Sequence, residues 1–318
     1  MNKKERHKQR KYRLFITGFG IFALVLSLVM LVLNAPHKIA GYPDNMTPNR
    51  VAEQSDIQYN DTDVPIDADI SLDAKLDHDA PSVAIIIDDF GPPGTAFLLD
   101  EFLSLPGELT WAIIPGNLKS GWISAQAMEA DQEVFIHMPM QPGENVAMKE
   151  RDMLLVGMHE EDVKAALSRA LVDVPNAVGL NNHMGSSATK DSSLMQILAD
   201  ELKSHGLKFI DSQTVPRSVA HGIMRNNGVQ SLRRDVFLDN QRDTLAIERQ
   251  FDELISIATR RGWAIGIGHA RKQTMQVLAK LIPEQLDKGV RFVSVRILMN
   301  MIYAPETADD QIQLAADE

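Results

Sequence analysis

Cysteine is absent from the 318 residues of this chain. That excludes disulfides, a lipid-modified amino-terminal cysteine, thiolate zinc sites and a cysteine nucleophile. Any metal must therefore be held by His, Asp or Glu. Such a composition is compatible with an address outside the cytoplasm. A serine nucleophile elbow is also missing, because Ser186 and Ser187 follow His183 outside any Gly-x-Ser-x-Gly turn. No glycine-rich phosphate loop occurs: Gly266-x-Gly268 runs into His269 and Ala270, not into a phosphate-binding lysine. No short repeat suggests a solenoid. Positive charge is not in excess, and a net charge of −11 speaks against a nucleic-acid partner.

The amino terminus is built differently from the rest. Lys3, Lys4, Arg6, Lys8, Arg10, Lys11 and Arg13 precede an uncharged apolar run over residues 14–33. A helix of that length spans about 30 Å, the hydrocarbon thickness of a bilayer. The basic flank stays cytoplasmic by the positive-inside rule and sends the remainder outside. No small-x-small cleavage site follows Leu33, and signal-peptide cores are shorter, roughly 7–15 residues. The expectation is therefore a single-pass anchor in a bacterial inner membrane, with the bulk of the chain in the periplasm. The alternative is a protein secreted after signal-peptide cleavage.

Beyond the anchor, ten Asp and Glu between Asp44 and Asp79 face only Arg50 and Lys75. The stretch lacks long aliphatic runs, so it cannot offset chain entropy by burial and reads as a self-repelling linker. It also lacks the ligand spacing and central glycine of an EF-hand loop. The division is a cytoplasmic basic segment (1–13), a transmembrane anchor (14–33), an acidic disordered linker (34–80), a folded domain (81–304) and an acidic tail (305–318).

The folded domain opens on Ala84-Ile85-Ile86-Ile87-Asp88-Asp89-Phe90-Gly91. An aliphatic run of this kind reads as a buried parallel strand, with the aspartate pair at its carboxyl edge, where α/β folds place their chemistry. Two adjacent carboxylates there repel one another and are costly to desolvate, which a metal ion or a shared proton would relieve. Further strands are expected at 109–114, 133–136, 177–180, 208–210, 231–238, 264–267 and 292–295. Helices are expected near 95–105, 120–130, 160–171, 191–204 (with Asp191 as N-cap), 245–261 and 274–286. This alternation argues for βα units around a parallel sheet or barrel.

Three of the nine histidines end strand-like runs: His137, His183 and His269. Asp211 ends another, and Asp235 and Asp239 flank residues 236–238. In a βα architecture all these ends converge on one face, and imidazoles with carboxylates suit a divalent ion such as zinc. Taken singly, each has a structural explanation as a turn former or a hydrogen-bonded histidine. Their joint occurrence points to a site. The remaining histidines, His7, His37, His78, His159, His205 and His221, are read as surface or tail residues.

At these residues the chain resembles the divergent polysaccharide deacetylases, a remote branch of the NodB-like carbohydrate esterases. The resemblance covers residues 81–299 through the ordered motifs IIIDDFG, FIHMPM, GLNNHMGS, FIDSQT, RRDVFLD and IGIGHA. It implies an α/β fold, a distorted seven-stranded (β/α) barrel of the glycoside hydrolase/deacetylase type. It also implies that Asp88 is the catalytic base and Asp89 a metal ligand. Conventional members draw two more ligands from one His-x-x-x-His segment. Here that segment begins at His137, but position 141 is Gln141, and His183 is the natural third ligand. His269 matches the general acid, with Asp211 expected beside it to orient an imidazole. The implied cofactor is a divalent metal, zinc, and the implied reaction is metal-assisted amide hydrolysis of an N-acetylated envelope polysaccharide or peptidoglycan-type glycan. The alternative is a catalytically degenerate, membrane-anchored protein that binds such a glycan. The retained Asp88, Asp89 and His269 favour the enzyme.

Overall fold

A computed structural model describes residues 80–143 and 150–303. The basic segment, the apolar run 14–33, the acidic linker up to residue 79 and the tail after 303 lie outside the described residues. Among the described residues no helix is long and apolar enough to cross a membrane.

Nine parallel strands form one curled α/β sheet, a half-barrel. They are β1 (Ser82–Phe90), β2 (Thr110–Ile113), β3 (Glu133–Met140), β4 (Gly179–Met184), β5 (Lys208–Asp211), β6 (Ser231–Arg233), β7 (Val236–Phe237), β8 (Trp263–His269) and β9 (Arg291–Phe292). Their order is β6-β5-β4-β3-β2-β1-β8-β7, with β9 also pairing with β1. Seven strands have three or more residues, and β7 and β9 have two each. The 231–238 stretch, expected as one strand, splits. β6 pairs with β5 at one edge and β7 with β8 at the other. Asp235 marks the break, its backbone N–H donating to Ile265 O while its carboxylate accepts from Ile265 N.

Helices fill the connections: α1 (Leu99–Leu103), α2 (Ser120–Glu129), α3 (Glu160–Asp173), α4 (Ser192–Ser204), α5 (Ala220–Asn226), α6 (Thr244–Arg261), α7 (Lys272–Leu286) and α8 (Val295–Ile302). Asp191 caps α4 by accepting from Leu194 N at 2.8 Å, and Asp243 caps α6 in the same way. The expected 95–105 helix is instead a 3₁₀ turn, Pro93–Leu98, followed by the short α1. The expected 292–295 strand stops at Phe292. Ser294 then caps α8, whose helical pattern begins inside the predicted strand.

Strand alternation separates two apolar clusters. Val83, Ile85 and Ile87 of β1 face the helices, and Ala84 and Ile86 face the barrel interior. Phe135, Ile210, Leu232, Ile265 and Ile267 share that interior with Val295, Leu298 and Met299, one stripe of α8. The amino-terminal half of the barrel is thereby packed with hydrocarbon. The next inward positions along the strands, Asp88, His137, His183 and His269, are polar.

Candidate active site

Two residues on from Ile86 comes Asp88, two on from Phe135 comes His137, two on from Asn181 comes His183, and two on from Ile267 comes His269. The same period that builds the interior core thus aims these side chains into its carboxyl-terminal mouth. The rule would send neighbouring Asp88 and Asp89 to opposite faces. The ladder between β1 and β2 shifts register between Ile87 and Phe90, and Asp89 adopts a left-handed φ of 67°. This irregularity brings both carboxylates to the mouth.

Three atoms form a compact triangle. His183 Nδ1 lies 3.0 Å from His137 Nε2, Asp89 Oδ1 lies 3.4 Å from His137 Nε2, and Asp89 Oδ1 lies 3.2 Å from His183 Nδ1. Asp89 Oδ1 is buried and faces both imidazole nitrogens without a well-aligned hydrogen bond to either. Ligands at the usual 2.0–2.2 Å from a tetrahedral ion stand about 3.3–3.6 Å apart, so small side-chain shifts would let this triangle hold a divalent cation. Asp89, His137 and His183 are the residues that could hold one. Both imidazoles have their far nitrogens engaged. His137 Nδ1 meets Asn181 Oδ1 at 2.9 Å, and His183 Nε2 lies 3.3 Å from Glu150 Oε1. Such partners fix ring orientation and leave the inward nitrogen available as a ligand.

Asp88 and Asp89 are electrostatically unlike. Burial raises Asp88, outweighing the neighbouring histidines, so it favours a proton more than an ordinary aspartate does. Burial alone would raise Asp89 too, but His269, with His137 and His183, holds it well below the ordinary value. Pairs driven apart in this way commonly divide into proton acceptor and permanent anion. Burial would depress His183, but Asp89 and Glu150 override it and push it up to about 10. His269 is also raised against its burial, first by Asp239 and then by Asp89.

His269 Nε2 faces Asp89 Oδ2 at 3.7 Å, on the side away from Asp239. Its Nδ1 meets Asp239 Oδ1 at 2.7 Å, and its backbone N–H donates to Asp239 Oδ2. Thr274 Oγ1 donates to the same Oδ2 at 2.6 Å. Asp239, not Asp211, is therefore the carboxylate that orients this imidazole. Asp211 instead accepts from Ser218 Oγ at 2.6 Å and from Gln213 N at 2.9 Å, ordering the loop after β5. The correction has a topological cause: Asp239 follows β7, which pairs with the β8 strand that ends in His269, whereas Asp211 ends β5 toward the opposite edge of the sheet.

Gln141 stays out of the triangle, and its Oε1 accepts from Val156 N at 2.9 Å. His221, read from sequence as a surface residue, is buried with Nδ1 at 3.0 Å from Ser231 Oγ. Sequence reasoning missed Asn181 and Glu150. Asn181 stands in the Asn-Asn-His run two residues before His183, so alternation could have placed it on the same face. Glu150 lies outside the strands and carries no periodic signal.

The family model of divergent polysaccharide deacetylases matches residues 85–299. An uncharacterized protein of Haemophilus influenzae is 38% identical over 211 residues, covering 64% of this chain and 73% of that one. The uncharacterized Escherichia coli protein YibQ is 32% identical over 222 residues, covering 70% and 68%. A solved structure of an uncharacterized Agrobacterium tumefaciens protein has a TM-score of 0.65 at 24% identity, covering 69% of this chain and 89% of that one, a likeness of fold.

Proposed function

The chain belongs to the divergent polysaccharide deacetylase family, and we propose that it is a metal-dependent amide hydrolase acting on an N-acetylated envelope glycan of peptidoglycan type. The observation that carries this reading is the triangle of Asp89, His137 and His183, in which a buried carboxylate oxygen faces both imidazole nitrogens. A divalent cation, zinc by the His/His/Asp donor set, would supply Lewis-acid polarisation of the acetyl carbonyl and acidify water.

The remaining chemistry falls to the side chains. Asp88, with its raised proton affinity, takes the proton of the attacking water. His269, held by Asp239, gives a proton to the departing sugar amine from Nε2. Burial of Asp88, His137 and His183 limits the access of bulk water and strengthens each of these interactions.

In this reading the apolar run 14–33 anchors the protein in the inner membrane with the domain in the periplasm, beside its substrate. Protease added to spheroplasts should digest the domain, and protection would overturn that topology. Purified full-length protein should carry zinc and release acetate from N-acetylglucosamine oligomers. Asp88→Asn should keep the metal and lose about 10²–10⁴-fold in rate. The binding-scaffold reading draws on Gln141, which stands where a ligand histidine is expected and is engaged with Val156 instead. Glycan binding without acetate release by the metal-loaded wild type would decide for it.

A further inference from the structure

We infer that Asn181 is a positioning residue that ties the proton acceptor Asp88 to the metal ligand His137 and fixes which nitrogen His137 offers inward. The inference rests on the proposed hydrolase site and extends it to a residue that touches neither metal nor substrate.

Asn181 is fully buried on β4, directly beside His137 in the β3–β4 register. Its amide makes two contacts of equal length. Nδ2 donates to Asp88 Oδ1 at 2.9 Å, and Oδ1 meets His137 Nδ1 at 2.9 Å. Nδ2 also reaches Ser212 Oγ at 3.3 Å. Asp88 belongs to β1, two strands beyond β3 in the sheet, so this one amide spans the curled interior.

The two contacts are not interchangeable. To take the water proton Asp88 must be ionised, and an ionised carboxylate only accepts hydrogen bonds, so in that role it demands the NH₂ side of the amide. That leaves the carbonyl oxygen facing His137 Nδ1, and a carbonyl only accepts, so Nδ1 must carry the proton. His137 Nε2 then presents its lone pair to the triangle with Asp89 and His183. The carboxylate that would take the water proton thus also dictates, through Asn181, the tautomer of a ligand on a different strand. Asp88 Oδ1 is occupied by the same bridge, so Oδ2, 3.5 Å from His137 Nε2, is the oxygen turned to the reacting centre.

The test separates the two ends of the bridge. Asn181→Leu removes both contacts and keeps the branching at Cγ. Zinc affinity of the full-length protein, measured by competition with a chelator, should fall about 10–100-fold, the usual loss on removing a ligand's outer partner. Asn181→Asp keeps an acceptor for His137 but sets a carboxylate against Asp88. It should retain zinc at wild-type affinity or tighter, while kcat for acetate release falls and KM is unchanged. A residue that merely fills space would not split metal affinity from kcat in this way. Wild-type zinc affinity in Asn181→Leu, or wild-type kcat in Asn181→Asp, would overturn the inference. If Asn181→Leu fails to fold, Asn181→Asp alone decides. A wild type that binds zinc but releases no acetate sinks the hydrolase reading, and zinc affinity in Asn181→Leu still decides the bridge. A wild type that binds no zinc overturns both.

Discussion

Asp239 Oδ1 lies 2.7 Å from His269 Nδ1, although 30 residues separate the two in sequence. The carboxylate itself is fully buried and accepts from the backbone of His269 and from Thr274 Oγ1 as well. It is therefore held rigidly and in turn holds the imidazole. Aspartate at this position is kept below its ordinary value because His269 overrides the effect of burial.

Asp239→Asn should accordingly disable the general acid without emptying the metal site. We expect acetate release to fall by about 10²-fold or more with metal content unchanged, measured by steady-state assay and elemental analysis. Asp211→Asn should act on stability instead. Its contacts are with Ser218 and Gln213, so it should lower the melting temperature by weakening a buried hydrogen-bonded turn, about 1–3 kcal/mol, and spare kcat.

Metal uptake should displace a proton from His183. In the ion-free protein this group, held near 10 by Asp89 and Glu150, is an imidazolium at neutral pH. A cation needs the Nδ1 lone pair, so binding should release about one proton and the apparent affinity should rise roughly tenfold per pH unit below 10. The folded value lies above the unfolded one of about 6.5. The stability that His183 lends the ion-free protein is thus complete below about pH 6.5 and lost as pH rises through 10. Calorimetric titration with zinc in two buffers of different ionisation enthalpy reads the proton count. Equal heats in both would refute it.

His221 should act in the opposite direction. Burial, with Arg233 and Arg225 adding to it, pushes this histidine down to about 3. Between about pH 3 and 6.5 the unfolded chain binds a proton that the folded chain refuses, so stability falls as pH drops through that window. His221→Gln should flatten the decline between pH 6.5 and 5 in thermal melts. A variant with the wild-type slope would count against the assignment.

Gly91 follows the aspartate pair with φ 127°, and a Cβ there would come within 2.7 Å of Ile114 O. Gly91→Ala should destabilise the domain by about 1–3 kcal/mol through backbone strain and that clash. Because the turn sets the exit of β1, we also expect weaker metal binding, read in the same chelator competition.

Much of this architecture was written locally. The Ile85-Ile86-Ile87 run specifies a strand buried on both faces, Asp191 announces α4, and Gly262 with φ 91° ends α6. The residues that gather at the mouth were legible too, because His137, His183 and His269 each continue a strand pattern whose period fixes their face. These are short-range signals, set by steric propensity and by repeats of 2.0 and 3.6 residues.

What local pattern cannot carry is which strand end meets which. Asp211 and Asp239 both follow strand-like runs, and only the order of strands in the sheet puts Asp239 beside His269. The break that separates β6 from β7 decides that order, and it depends on Asp235 bonding to Ile265, a partner 30 residues away. The facing of Asp89 required a left-handed residue inside a strand, which period-two reasoning forbids. Asn181 and Glu150 gained their roles from the side chains that curling of the sheet brought to them, and His221 was buried by its neighbours rather than by its own segment. Residue chemistry and local repeat were fixed by the sequence alone. Partnership was decided by the curl and order of the sheet, because hydrogen bonds across a barrel join positions that no repeat along the chain connects.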